Sequence, residues 1–199
     1  RDFRDGVFVN CGKYSQNQAI AKGMEWMARN FSADKNPGRG GHTNYYLYGL
    51  ERVGMIGGVR NFGKHDWYRE GASYLVRTQR PGGGWSGGYD DALAVLFLAK
   101  GNRPVLIQKL QWKGPNGTLG QWNRNINDLE NLTTFIDESL GEKVTWQTAS
   151  LDLSLEELRQ SPILYVTGHD FPEFSKEEKA KLRQYVDSGG TLLFEACCH

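Results

Sequence analysis

The chain has 199 residues with 39% hydrophobic and 12% aromatic content, enough apolar material for one large domain or two small ones and too much for a disordered tail. Its 24 Lys and Arg against 23 Asp and Glu leave a charge of +1 with no long run of either sign, which excludes the basic excess that non-specific nucleic-acid binding needs. No apolar run approaches the roughly 20 residues required to cross a bilayer, so no membrane span is expected.

Residues 17–31 (NQAIAKGMEWMARNF) place Ile20, Met24, Met27 and Phe31 at helical spacing and read as an amphipathic helix. The polar, glycine-rich link SADKNPGRGG ends it, because Pro37 and its neighbouring glycines cannot continue a helix. Residues 42–56 (HTNYYLYGLERVGMI) are apolar and aromatic on most of the helical circumference, as in helices packed on several sides. The pattern then returns. Residues 66–79 (DWYREGASYLVRTQ) are amphipathic, a glycine-rich turn follows, and residues 90–100 form a second apolar helix. Thr43 and Asp90 are offset by 47 residues and Gly23 and Gly71 by 48, so two hairpins repeat at nearly constant spacing.

Gln79, Gly83 and Trp85 fit Q-x-x-x-G-x-W, and on that turn motif the first half resembles the α/α toroid of terpenoid cyclases and protein prenyltransferases. The resemblance implies apolar inner helices that further chain or a partner should cover. It also sets Asp90 on the place of the acid that protonates substrate in squalene-type cyclases, although Gly88 stands where that Asp-x-Asp-Asp run has its first Asp. The competing reading is that Asp90 or Asp91 caps its own helix. The same resemblance places His42 where prenyltransferases carry a zinc-binding histidine. Their Asp-x-Cys ligands have no counterpart, since Val9 lies two residues before Cys11, and a structural histidine at a helix start is expected instead.

Beyond Arg103 and Pro104 the pattern changes to short β-rich runs alternating with helices. VLIQKL (105–110), VTWQTA (144–149), ILYVT (163–167) and TLLFEA (191–196) read as strands. Asn127-x-x-Glu130, Ser154-x-x-Glu157 and Ser175-x-x-Glu178 each open a helix in the manner of a capping box. This alternation argues a parallel sheet with helices on both faces. The loop from Lys113 to Gly120 lacks the Lys-Ser/Thr ending of a P-loop, so any anion bound there would have to be held by its backbone amides.

On this pattern the second half resembles the class I glutamine amidotransferase-like, flavodoxin-like group. LYVTGH, the FSKEEK helix start and GGTLLFEACC make it similar, more closely, to an uncharacterised bacterial domain that follows toroid repeats. Ligands of open α/β sheets sit beyond the carboxyl ends of the strands. Those ends carry Asp152, then His169 and Asp170, then Glu195, Cys197, Cys198 and His199. The resemblance implies a cysteine nucleophile at such a strand end, which points to Cys197 or Cys198 with His169 assisting and with Asp170, Glu195 and His199 as ligand contacts. The run Ala-Cys-Cys-His departs from the group's Gly-x-Cys-x-Gly elbow, and thiols at a strand end also simply pack.

The expected fold class is therefore α plus α/β: a partial toroid of two hairpins over residues 1–103, followed by a parallel flavodoxin-like domain over 104–199 whose last β/α unit is incomplete. Both features lead to the expectation of a section of a longer chain. Three cysteines, two of them adjacent, suit neither a disulfide framework nor a zinc ribbon. No metal or cofactor is expected, and the compartment, cytoplasmic or exported, stays open. A non-catalytic binding or assembly module, with a protein partner or self-association, is the first functional expectation. The alternatives are a cysteine-dependent hydrolase or amidotransferase-like enzyme, and terpenoid or prenyl chemistry with Asp90 as acid.

Overall fold

The computed structural model describes residues 2–4, 7–9, 17–38, 40–114, 117–168 and 171–196. The chain divides into two compact units, Gln16–Arg103 and Pro104–His199, the latter joined by Arg1–Ser15. In that N-terminal stretch β1 (Asp2–Arg4) pairs antiparallel with β2 (Val7–Val9), a ladder not anticipated from the sequence.

Four helices and a two-residue hairpin make up the helical unit. α1 (Gln18–Asn30) starts where Asn17 Oδ1 accepts from the backbone N–H groups of Ala19 and Ile20, at 3.0 and 3.4 Å. α2 (Thr43–Ile56) follows, then the minimal hairpin β3 (Asn61–Phe62) and β4 (His65–Asp66), then α3 (Trp67–Thr78) and α4 (Tyr89–Gly101). Asp66 caps α3 by accepting from Arg69 N at 3.0 Å, and its other oxygen takes Arg60 at 2.8 Å.

The core of this unit is Leu47, Leu50, Phe62, Trp67, Leu75, Trp85, Ala94 and Phe97. Its large rings need small partners. A Cβ on Gly54 would stand 2.4 Å from the Trp67 ring, and one on Gly101 would stand 2.4 Å from the Tyr68 ring. Gly54 and Gly101 are themselves 47 residues apart, so the repeat places a glycine beneath an aromatic ring of α3 in both apolar helices. The face of α1 is only half covered: Met24, Met27 and Phe31 reach the core, but Ile20 is exposed. Two helical hairpins are thus present. They do not by themselves close a ring, and the toroid is not shown.

In the second unit β5 (Val105–Gln111), β6 (Thr145–Ser150), β7 (Ile163–Gly168) and β8 (Thr191–Ala196) form one parallel sheet in the order β6-β5-β7-β8. The alternation of side chains splits its two faces. Leu110, Leu164 and Val166 pack with Leu158 of α6 (Leu155–Leu158) and with Leu182 and Tyr185 of α7 (Lys176–Asp187). Ile107 and Tyr165 pack with Leu129 of α5 (Asp128–Leu140) on the other face. This is a mixed α plus α/β architecture, with helices on both faces of a parallel sheet as expected.

Capping follows the sequence signals at two of three sites. Ser154 with Glu157 and Ser175 with Glu178 form complete capping boxes. The expected Asn127–Glu130 box does not form. Asn127 makes no side-chain cap bond, and Asp128 instead accepts from Leu129 N at 2.7 Å while facing a buried lysine.

Candidate functional site

The order β6-β5-β7-β8 reverses direction between β5 and β7, and in open α/β sheets that reversal leaves a ligand crevice beyond the carboxyl ends of the two strands. Here an indole stands beside the end of β7. Trp112, the residue after β5, is 2% exposed and donates its Nε1–H to the carbonyl of Thr167 at the end of β7, at 2.9 Å. Gly168 and Gly120 flatten against the ring: an added Cβ would lie 2.6 and 2.0 Å from its atoms.

The glycine-rich loop folds back over this indole. Gly120 N donates to Trp112 O at 2.9 Å, Gly114 N to Thr118 O at 2.7 Å and Gly117 N to Gly114 O at 3.2 Å. Those three amides are committed inside the loop, which removes them from the anion cradle the sequence suggested. Asp152, at the end of β6, meets Lys113 at 3.2 Å, and both side chains are largely solvated.

Of the residues singled out at the strand ends, Glu195 is described: its carboxylate accepts from the Tyr165 hydroxyl across the β7–β8 pair. His169, Asp170, Cys197, Cys198 and His199 lie outside the described residues, as does Cys11.

A residue the sequence reading passed over sits in the middle of β5. Lys109 is 1% exposed. Its ammonium meets Asp128 Oδ2 at 2.7 Å, Asn123 Oδ1 at 2.9 Å and the carbonyl of Asn125 at 2.7 Å, and it lies 5.9 Å from the centroid of the Tyr165 ring. A buried ammonium must be paired and hydrogen-bonded, and this one ties the 123–128 segment to the central strand. The available signal was a lysine inside the apolar run VLIQKL, where a solvated side chain has no room.

In the helical unit Asp90 and Asp91, adjacent in sequence, have separate roles. Asp91 Oδ1 accepts from Trp85 N at 2.6 Å and Gly87 N at 3.2 Å, so it binds the preceding turn and not the first-turn amides of α4. Gly84 is pressed against the same carboxylate, and Gly83 holds φ at +85°, open to glycine at little cost. With Trp85 Nε1 donating to Leu75 O at 2.8 Å, the Q-x-x-x-G-x-W motif is a folding device.

Asp90 caps nothing. Its backbone carbonyl accepts from Asn44 Nδ2 at 3.2 Å, and its Oδ1 is buried with no hydrogen-bond partner among the described residues. It lines a cleft of about 470 Å³ with His42, Asn44, Tyr74, Arg80 and Tyr89. His42, preceding α2, takes φ 50° and ψ 39°, the left-handed conformation, without a side-chain cap bond. A second cleft, about 490 Å³, runs beside α3 and is lined by Asp34, His65, Arg69, Glu70 and Arg77, with His65 Nδ1 3.0 Å from Glu70 Oε1 and the His65 ring stacked on Phe31.

Burial raises the Tyr46, Tyr68 and Tyr185 hydroxyl pKa values above the ordinary tyrosine range. It also raises that of Glu51 on α2, against the opposing pull of Arg52, Lys100 and Arg103. Among the described residues no group of three or more His, Cys, Asp or Glu side chains stands close enough to hold a metal ion, and no helix is long and apolar enough to cross a membrane.

Comparison with known proteins lends no support to the terpenoid cyclase or amidotransferase resemblance. Searches of the curated proteins and of the solved structures return no match. Residues 107–199, from the middle of β5 through β8 to the end of the chain, match a family described as a domain of unknown function (DUF4159).

Proposed function

We propose that the chain is a non-catalytic binding and assembly module whose helical unit associates with a second copy of itself. One observation carries this reading: every exposed residue of α2 and α4 is apolar, aromatic or glycine. On α2 these are Tyr45, Gly49, Val53 and Ile56, and on α4 they are Tyr89, Ala92, Val95 and Ala99. The charged residues of both helices are buried or half-buried. A solvent-facing helix surface normally carries charge, and contiguous uncharged stripes mark contact surfaces.

The internal repeat argues for the occupant. α2 already packs along α4 within the chain, and α4 presents outward a stripe of small and β-branched residues that helix packing tolerates at close approach. Repeating the relation between the hairpins once more would set the α2 of another copy on that stripe. Such a head-to-tail contact either closes into a ring or continues.

Two features accord with a role in binding. The crevice at the strand-order reversal holds the indole of Trp112, buried and hydrogen-bonded to the end of β7. The cleft beside Asp90 is lined by Tyr74, Trp85 and Tyr89 but also by hydroxyl, amide, imidazole and guanidinium groups; the nucleophiles among them would intercept a carbocation, so its lining does not favour terpenoid or prenyl chemistry. A cysteine-dependent activity at Cys197 or Cys198 stands as a separate proposal. Iodoacetamide labelling no faster than that of a free thiol peptide at neutral pH would remove it.

Light scattering and cross-linking across the micromolar range test the assembly reading. The expected result is concentration-dependent association that Val95→Glu and Ile56→Glu abolish while helicity is retained. A monomer across that range overturns it.

A further inference from the structure

The cleft beside α3, about 490 Å³, is within the size range of small-molecule sites. Arg69, Ser73 and Arg77 follow one another at four-residue spacing on α3, so they share one face of the helix, and all three are exposed. Ser73 is short, and its hydroxyl turns back to donate to the carbonyl of Arg69 at 2.7 Å. No long side chain therefore separates the two arginines, which stand about 12 Å apart along the helix axis, less than two extended arginine side chains span. The carboxylates of the cleft are engaged: Asp34 Oδ1 accepts from Ser32 Oγ at 2.6 Å, and Glu70 Oε1 stands 3.0 Å from His65 Nδ1. The guanidiniums are not. Neither Arg69 nor Arg77 is in an ion pair among the described residues.

We propose that this cleft binds a small molecule carrying a phosphomonoester, whose phosphate oxygens accept from Arg69 and Arg77. A guanidinium donates through all its N–H groups and accepts nothing, so two of them left unpaired call for an acceptor-rich anion. Asp34 and Glu70 cancel the two positive charges at a distance, so the cleft holds an anion by contact and not by its overall field. That favours a dianion with three terminal oxygens, which meets both forks in the bidentate geometry that arginine shares with phosphate. A monocarboxylate fills one fork and gains too little to offset two neighbouring carboxylates. Tyr74 and the Phe31 ring stacked on His65 line the same cleft and offer aromatic surface to the carbon skeleton of the ester. A nucleic-acid backbone needs a track of cations, not one pair. The inference goes beyond assembly and is independent of it, because no residue lining this cleft lies on α2 or α4.

The test is calorimetric titration and ligand-observed NMR on the whole chain at low ionic strength. The probes are glucose phosphate, glycerol phosphate and adenosine monophosphate, with glucose, glycerol, adenosine and a phosphoserine peptide as controls. At least one ester is expected to bind with a Kd of about 1 mM or tighter. Arg69→Gln and Arg77→Gln are each expected to weaken it about tenfold or more, the loss of charge-assisted hydrogen bonds. Ser73→Glu sets a carboxylate between the two arginines and is expected to abolish binding. All three side chains are exposed, so the variants are expected to keep the fold, read by circular dichroism. No binding of any ester overturns the proposal. So does binding that both arginine variants leave unchanged, equal binding of the unphosphorylated parents, or binding of the phosphopeptide alone. Light scattering on the same samples reads assembly separately, so either reading can fail while the other stands.

Discussion

Lys109 Nζ, on the inner strand β5, lies 2.7 Å from Asp128 Oδ2 at the start of α5, in an ion pair whose lysine is 1% exposed. Two further oxygens, Asn123 Oδ1 and the carbonyl of Asn125, also accept from the ammonium. Removing one partner of such a pair strands the other charge out of water. Asp128→Ala is therefore expected to lower stability by about 3–5 kcal/mol, whereas Lys109→Met combined with Asp128→Leu should cost much less, because no charge remains to be desolvated. Urea unfolding of the single and double variants checks this. Equal losses in both would show that the segment is held by something other than the pair.

Trp112 makes a second stability prediction with a steric counterpart. Trp112→Ala would open a cavity at the strand-order reversal and is expected to cost about 3–5 kcal/mol. It would also release the loop that folds over the ring, read as faster amide exchange at Gly114 and Gly120. Gly120→Ala attacks the same contact from outside, since its Cβ would lie 2.0 Å from the indole. Overpacking of that kind costs about 1–3 kcal/mol.

Much of this fold is legible in the sequence because its signals are local. Ser154-Glu157 and Ser175-Glu178 mark helix starts through bonds made within one turn, and the β-branched runs of β5 to β8 fall where the strands do. The parallel direction follows from helices alternating with strands. What failed was set by contacts distant in sequence. Asn127 does not cap α5 because Asp128, one residue on, is drawn to a lysine 19 residues before it. The hairpin β3–β4, two residues to a strand, is too short to have a period. In the helical unit the Asp90-Asp91 pair was visible as chemistry. Which carboxylate ties the turn and which faces the cleft depends on a rotation of about 100° around α4, and neighbouring identical residues carry no signal of that.

That division of labour gives a third prediction. Asp91→Ala removes the acceptor for Trp85 N and Gly87 N, leaving at least one half-buried amide unsatisfied, and is expected to cost about 1–3 kcal/mol. Asp90→Asn keeps the shape of a half-buried carboxylate whose Oδ1 has no donor among the described residues, so it should leave stability nearly unchanged. Thermal unfolding of the two variants side by side checks the assignment. The reverse ranking would mean that Asp90 holds the turn.

Glu51 supplies a pH dependence. Its side chain is fully buried on α2 and neither oxygen has a hydrogen-bond partner among the described residues. Burial raises its pKa above the ordinary glutamate value, opposed by the charges of Arg52, Lys100 and Arg103. A carboxyl with a higher pKa folded than unfolded binds its proton more tightly in the folded state. Its contribution to stability is therefore full below the unfolded pKa, about 4.3, and is lost as pH rises through the folded value. Glu51→Gln holds the group in a neutral, nearly isosteric form at every pH. The variant should match the parent in acid and exceed it at neutral pH, so that the difference between their urea midpoints grows as pH rises through the folded pKa and is level above it. A parent that is the more stable of the two at neutral pH would mean that ionised Glu51 is paired, with Arg52, Lys100 or Arg103 closing on it, and the burial argument would fall.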